Sequence, residues 1–414
     1  MRRPVLTLLL ALLLAAPTAR AQLGLPARPA LPSLPGLGLP IEPARPVLER
    51  DATDELAQAA GRRARAVQTL LRRHAGRVES DPAGQPVVRG ELLLVAPSDA
   101  LLAAARERGY ALLRERRIDA LDARWVVLRP PDGLALADAL AALRALEPTL
   151  EADFNHLYLA GGAVGAADTP AADAPRAAAA LRVGLVDGGV DAAHPALRGI
   201  AVQRQGCGGA AHPQAHGTAV ASLLAGQGTA LYAADIYCGA PTGGAVEAVA
   251  EALGWLAAER VAVVNLSLVG PPNRLLERAV RAMTARGHLL VAAVGNDGPA
   301  APPLYPAAYP GVVGVTAVGA ARSLLPEAAR GPQVVLAAPG ADLSVARAGS
   351  TGQARARGTS FAAPLVARLL AARLAVPEAG AAARALDALV REAIDLGPPG
   401  RDPGYGWGLV GESR

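Results

Sequence analysis

Gly358-Thr359-Ser360-Phe361-Ala362-Ala363-Pro364 is the stretch on which the reading of this chain turns. Gly358 lets another backbone approach closely and takes dihedrals that Cβ-bearing residues avoid. Thr359 suits a helix cap, which puts Ser360 in the first turn of a helix. Unsatisfied N–H groups and the positive end of the helix dipole favour developing negative charge there. Ala362 and Ala363 suit close packing. Pro364, one turn in, gives up an N–H that has no intrahelical partner anyway. An ordinary small-residue helix start would read the same way, so the rest of the chain decides.

From residue 181 onward strand patterns alternate with helix patterns. Strands are expected at 182–186, 231–237, 261–267, 288–294, 312–317 and 334–337. Helices are expected at 216–225, 245–259, 274–286, 360–374 and 381–392. The strands are apolar through most of their length, as in an α/β fold whose mostly parallel sheet is covered by helices on both faces. Such sheets place their sites at the carboxyl ends of strands. Three further polar stretches fall where that rule points: Leu185-Val186-Asp187-Gly188-Gly189-Val190, His216-Gly217-Thr218-Ala219-Val220-Ala221 and Ala292-Ala293-Val294-Gly295-Asn296-Asp297-Gly298. Taken singly, Asp187 could cap a turn, His216 a helix, and Asn296 could hold a left-handed turn position. With Ser360 they supply a nucleophile, a base, an orienting carboxylate and an oxyanion donor.

The chain ahead of this part divides by composition. Residues 1–21 carry a basic start, an apolar run over 5–16 and the small-x-small pattern Ala19-Arg20-Ala21, the pattern of a signal peptide. Export to the periplasm or the extracellular space is the expectation, with no transmembrane segment once the signal is removed. Residues 22–88 hold a proline-rich arm and, at 51–77, an arginine-heavy helix read as a solvated charged element. Residues 89–159 alternate as β-α-β-β-α-β, the order of a small ferredoxin-like α+β unit. Residues 160–180 are glycine, alanine, proline and aspartate without periodicity, a flexible linker before a 181–414 domain. Lysine is absent, and the net charge of +5 is small for 414 residues with interleaved acids, which excludes a nucleic-acid footprint. Cys207 and Cys238 are the only cysteines; in an exported chain they suggest one disulfide, and two buried thiols are the alternative.

The four stretches resemble the motifs of the subtilisin-like serine proteases, the subtilases. Asp187, with His194-Pro195-Ala196-Leu197 downstream, matches the aspartate motif; His216 matches the HGT-x-VA motif. Asn296 matches the oxyanion asparagine, and Ser360 matches the GTS-x-A-x-P motif. The resemblance implies Asp187, His216 and Ser360 as the catalytic triad, and protein or peptide substrates with no cofactor and no metal. Asn265-Leu266-Ser267-Leu268 resembles the substrate-binding strand, which implies substrate contacts at Ser267, Leu268, Val269, Gly270, Ala293, Gly295 and Tyr305. The 89–159 unit resembles the family's inhibitory propeptide, with 150–158 as the tail in the cleft, so the chain is its own intramolecular inhibitor and is otherwise expected to be a monomer. The departures are Gly188 for a hydroxyl residue, Ala219 for a histidine, Phe361 for methionine and Val269 for glycine. A Cys207–Cys238 bridge would close a loop of about thirty residues beside the histidine helix.

Overall fold

A computed structural model describes residues 61–165 and 181–412. The expected signal peptide and most of the proline-rich arm and linker lie outside the described residues. The described part begins with helix α1, seen over 61–73. The N-terminal unit follows: β1 (Val78–Ser80), β2 (Pro86–Val95), α2 (Asp99–Glu107), β3 (Ala111–Ile118), β4 (Ala123–Arg129), α3 (Leu136–Leu146) and β5 (Glu151–Ala160). β5, β2, β4 and β3 lie side by side in that order, all antiparallel, which is the ferredoxin-like arrangement. Alternation along the strands sorts the two faces. Leu92, Leu94, Val126 and Leu128 pack under α2 and α3. Leu93, Val95, Trp125 and Val127 face the other way and join the core of the larger domain.

After a short β6 (Ala163–Val164) the second domain runs β7 (Arg182–Asp187), β8 (Ala201–Gln205), α4 (Ala215–Leu224), β9 (Ala230–Asp235), β10 (Gly244–Ala245), α5 (Val246–Ala258), β11 (Val263–Leu266), β12 (Leu268–Val269), α6 (Arg274–Ala285) and β13 (Leu289–Ala293). It continues with β14 (Val312–Val318), β15 (Val334–Pro339), β16 (Leu343–Ala346), β17 (Gln353–Arg357), α7 (Thr359–Ala371) and α8 (Ala379–Glu392). The main sheet is seven parallel strands in the order β15-β14-β13-β11-β7-β9-β8. Helices α4, α7 and α8 cover one face and α5 and α6 the other. The outermost strand, β8, was not expected from the sequence. Its residues Ala-Val-Gln-Arg-Gln are half exposed, as an edge strand allows, so they carry no continuous apolar signal. β9 ends at Asp235, short of the expected 237, because the Asp235 carboxylate accepts N–H bonds from Tyr237 (3.0 Å) and Cys238 (2.9 Å) and turns the chain. Cys207 and Cys238, just beyond β8 and β9, are joined in a disulfide with Cα atoms 5.2 Å apart.

Helix α1 departs from the expected solvated element. Val67 and Leu70 are buried, and Leu70 packs with Val78 and Leu157. The expected linker also begins later than its composition suggests. Residue 160 still belongs to β5, and β6 pairs with β17, Ala163 opposite Arg357 and Val164 opposite Ala356.

Candidate active site

Two strand ends and two helix starts converge on one site. β7 stops at Asp187, fully buried at the carboxyl end of this interior strand. β13, two strands away across β11, is followed by the loop that carries Asn296, and His216 and Ser360 are each the second residue of their helix, α4 and α7. The cap of α7 is Gly358 at φ 129°, not Thr359, so Ser360 is the second residue of the helix rather than the first. Thr359 serves the neighbouring loop instead. Its Oγ1 accepts from the Gly295 N–H (3.2 Å), and its own N–H donates to Asn296 Oδ1 (3.0 Å). That second bond fixes which way the Asn296 amide faces: Nδ2 points away, buried, with no acceptor among the described residues.

His216 Nδ1–H donates to both carboxylate oxygens of Asp187, at 2.9 and 3.0 Å. Its other ring nitrogen, Nε2, donates to the Gly161 carbonyl at 2.6 Å. Neither partner can give a proton back, so both nitrogens carry one and the ring is an imidazolium. Burial alone would push its pKa down. The Asp187 charge and hydrogen bond, with the Gly161 carbonyl, outweigh this and hold it above the ordinary histidine range. Phe361 lies beside the ring with centroids 5.3 Å apart. Gly188, where the motif favours a hydroxyl residue, leaves room for Gln214; a Cβ there would stand 2.0 Å from Gln214 Oε1.

Ser360 Oγ donates weakly to the Ser267 carbonyl (3.5 Å), while Ser267 Oγ donates to the Ser360 carbonyl (2.8 Å) and accepts from Asn265 (2.9 Å). The serine is thus locked to the substrate strand, and what lies on that strand is the chain's own β5. Leu268 is opposite Ala160 and Val269 opposite Leu159, while on the other side Gly244 is opposite Tyr158 and Ala245 opposite Leu157, all antiparallel. Residues 157–164 therefore run through the cleft, several residues later than the expected 150–158 tail, because β5 spends 151–156 inside its own sheet. Tyr158 is fully buried; its hydroxyl donates to the Pro271 carbonyl at 2.6 Å. A Cβ on Gly270 would lie 2.5 Å from that ring.

Of the expected substrate residues, Leu268, Val269 and Gly270 thus meet the strand, while Ser267 bonds to Ser360 instead. Ala293, Gly295 and Tyr305 lie one layer back. Ala293 is in the core at the end of β13, Gly295 anchors the Asn296 loop, and Tyr305 forms a backbone bridge to Gly270. Sequence reasoning missed Gly161, which bonds to His216, and Gly162, which lies against Phe361 and Gly358. The signal was present in the Gly-Gly pair that opens the linker.

The family model for the subtilase peptidases (family S8) matches residues 179–408. Subtilisin BL of Lederbergia lenta is 34% identical over 200 residues, 45% of this chain and 73% of that protein. The minor extracellular protease Epr of Bacillus subtilis (strain 168) is 33% identical over 168 residues, 40% of this chain and only 26% of that protein. Fervidolysin from Fervidobacterium pennivorans, described as a keratinolytic enzyme related to subtilisin, shares the fold with a TM-score of 0.63 at 18% identity, over 80% of this chain and 61% of that one. The chain belongs to the subtilase family of serine-type endopeptidases, with an antiparallel α+β domain ahead of the peptidase fold.

Proposed function

We propose that the chain is an exported endopeptidase, made as a zymogen, whose first substrate is its own peptide bond Gly161–Gly162. The carrying observation is that His216, backed by Asp187, bonds to the Gly161 carbonyl while Ser360 Oγ and Asn296 Nδ2 lie against Gly161 itself. In the cut, Ser360 Oγ bonds to the Gly161 carbonyl carbon and its proton passes to neutral His216. Asp187 holds the imidazole tautomer and stabilises the imidazolium. Asn296 Nδ2 and the Ser360 N–H take the oxyanion. The imidazolium returns its proton to the Gly162 nitrogen as the C–N bond breaks, and water then releases the Gly161 carboxylate from the serine. Peptides of other proteins would take the place of residues 157–164 by the same backbone pairing.

On this reading the fold corresponds to the stage before that cut. The Gly161 carbonyl faces His216 rather than Asn296, and the base carries a proton, so attack awaits rotation of that carbonyl and loss of the proton. Gly161 makes the waiting pose possible, since a Cβ on it would lie 2.8 Å from Ser360 Oγ. Support for export comes from the expected signal at 1–21, the Cys207–Cys238 bridge, and the likeness to Epr, named an extracellular protease. N-terminal sequencing of the expressed protein tests the reading: the new terminus should be Gly162, and Ser360→Ala protein should stay uncut. Normal processing of that variant in a protease-deficient host would overturn self-cleavage.

A further inference from the structure

The cut at Gly161–Gly162 makes two chain ends, and the fold grips the residues on both sides of that bond. On the acyl side Leu159 lies opposite Val269 and Ala160 opposite Leu268. That strand is tied to the nucleophile, because Ser267 Oγ donates to the Ser360 carbonyl at 2.8 Å. Different groups hold the leaving side. β6 is the edge strand of a small sheet: Ala163 lies opposite Arg357, Val164 opposite Ala356, and the Gly165 N–H donates to the Arg355 carbonyl at 2.8 Å. β17 is itself paired along the whole of β16, so it is a firm support.

Gly162 supplies the leaving nitrogen and is closely packed. A Cβ on it would stand 2.8 Å from the Phe361 ring and 3.0 Å from the Arg357 carbonyl. A Cβ on Gly358 would stand 2.9 Å from the Gly162 Cα. Its φ of 85° is one that glycine takes without strain. Phe361, where the motif carries methionine, is fully buried and so gives a fixed wall. Only Gly358 and Thr359 separate β17 from Ser360. The strand that holds the amine is therefore continuous with the serine that would carry the acyl group.

That continuity bears on the acyl-enzyme. An ordinary leaving peptide diffuses away, and water takes its place. An amine kept beside its own acyl carbon competes at an effective concentration of up to about 10⁵–10⁸ M when well oriented. Ser360 is fully buried, so water must displace part of the strap to reach that carbon.

We propose that the processed complex is also a peptide ligase toward its own strap, so that cut and uncut chains interconvert while the N-terminal unit stays bound. The proposal rests on the self-cleavage reading above. In the return step the neutral Gly162 nitrogen bonds to the Gly161 acyl carbon and gives a proton to His216. The bond from that carbon to Ser360 Oγ breaks, and His216 hands a proton to Oγ. When the return begins from the free Gly161 carboxylic acid, one water leaves as the ester on Ser360 forms.

The test uses the full-length chain, left to cut itself and then held in water enriched in oxygen-18. Each hydrolysis puts heavy oxygen into the Gly161 carboxylate, and each return carries part of it into the Gly161–Gly162 peptide group. After a denaturing quench and digestion, mass spectrometry reads the fragment that spans this bond. It should persist as a steady fraction and gain the heavy label. Gly165→Pro removes the N–H that bonds to the Arg355 carbonyl. It should lower the ratio of uncut to cut chain by about 2- to 10-fold, the range for one hydrogen bond, while cutting continues. A spanning fragment that vanishes, or persists without label, overturns ligation and leaves self-cleavage standing. A ratio unchanged in Gly165→Pro overturns the part given to β6. A wild type with neither a Gly162 terminus nor a labelled carboxylate would instead overturn self-cleavage itself.

Discussion

Two strands end at the catalytic centre, and they are held in opposite ways. β7 is buried along nearly its whole length, paired in parallel on both sides, with Val183 and Leu185 in one core and Val186 in the other. β5 leaves its own sheet and continues between β10 and β12 by main-chain pairing, with Tyr158 seated in the larger domain's core and Leu157 buried beneath α1. A strand fixed by side-chain packing admits one sequence. A strand fixed by backbone bonds admits any extended peptide that fits the pockets. The first suits a residue that must never move, Asp187; the second suits a segment that is cut and replaced.

The contrast breaks most visibly at the chemistry. Ser360→Ala should lower kcat on peptides by about 10⁶-fold, the loss known for the corresponding group of subtilisin. Asn296→Ala should cost on the order of 10²–10³, again as in subtilisin, because Asn296 acts only when the carbonyl turns toward it. Wild-type-like turnover by either purified variant would contradict the assigned roles. If backbone pairing plus Tyr158 holds the strap, Tyr158→Ala should weaken the cut N-terminal unit as an inhibitor by about 10²-fold or more. That follows from roughly 3 kcal/mol for emptying a buried aromatic site. Inhibition constants for the separated unit measure this, and an unchanged constant would show that the contacts of the unit's own sheet carry the affinity instead.

The two domains are also joined by the shared apolar core around Trp125 and by a polar network. Arg114 donates to Glu91 (2.6 and 3.1 Å) and to Glu247 on α5 (2.6 and 3.2 Å), with Asn155 bridging the same two acids. The disulfide belongs to the permanent side of the comparison. Replacing Cys207 and Cys238 together by alanine should destabilise the protein by roughly 3–4 kcal/mol in the chain-entropy model for this loop length. Denaturant titration of the oxidised protein against the double variant reads the difference. An equal midpoint would mean that β8 and β9 hold their ends without the bridge.

The smallest expected effect is in pH. In the uncut chain the Asp187 charge and the Gly161 carbonyl hold the His216 pKa above its ordinary value, against burial. A raised folded pKa means that the imidazolium contact with the strap is full below the unfolded histidine pKa and is lost as pH rises through the raised one. Self-cleavage should therefore speed up with rising pH, with a midpoint above the ordinary histidine range. Peptide hydrolysis by the processed enzyme should rise at lower pH, because the Gly161 contact has gone. Coincident midpoints would place the control of the first cut elsewhere.

Much of the permanent side was legible in the sequence. Asp187, Asn296, His216 and Ser360 are polar residues at the edges of apolar strands and small-residue helices, and punctuation of that kind survives in a linear reading. The replaceable side was much less legible. β5 has strand character, but nothing local says that its last residues pair with two other edges, or that Ala160 meets Leu268. β8 is polar because it is an edge, and α1 reads as a solvated helix until Leu157 is known to lie beneath it. Each of these is settled by partners distant along the chain.

The position of β6 bears on how a population of these molecules would switch on. On the proposed reading, the cut at Gly161–Gly162 leaves β6 on one product and all of the β5 pairing on the other. Cleavage then creates one tightly held inhibitor for every enzyme and frees none of the cleft. Activity would wait until an inhibitor unit is itself destroyed, and each enzyme released that way would destroy others. The time course should show a lag and then a self-accelerating rise. The lag should shorten when a trace of already free enzyme is added, and lengthen when extra N-terminal unit is supplied.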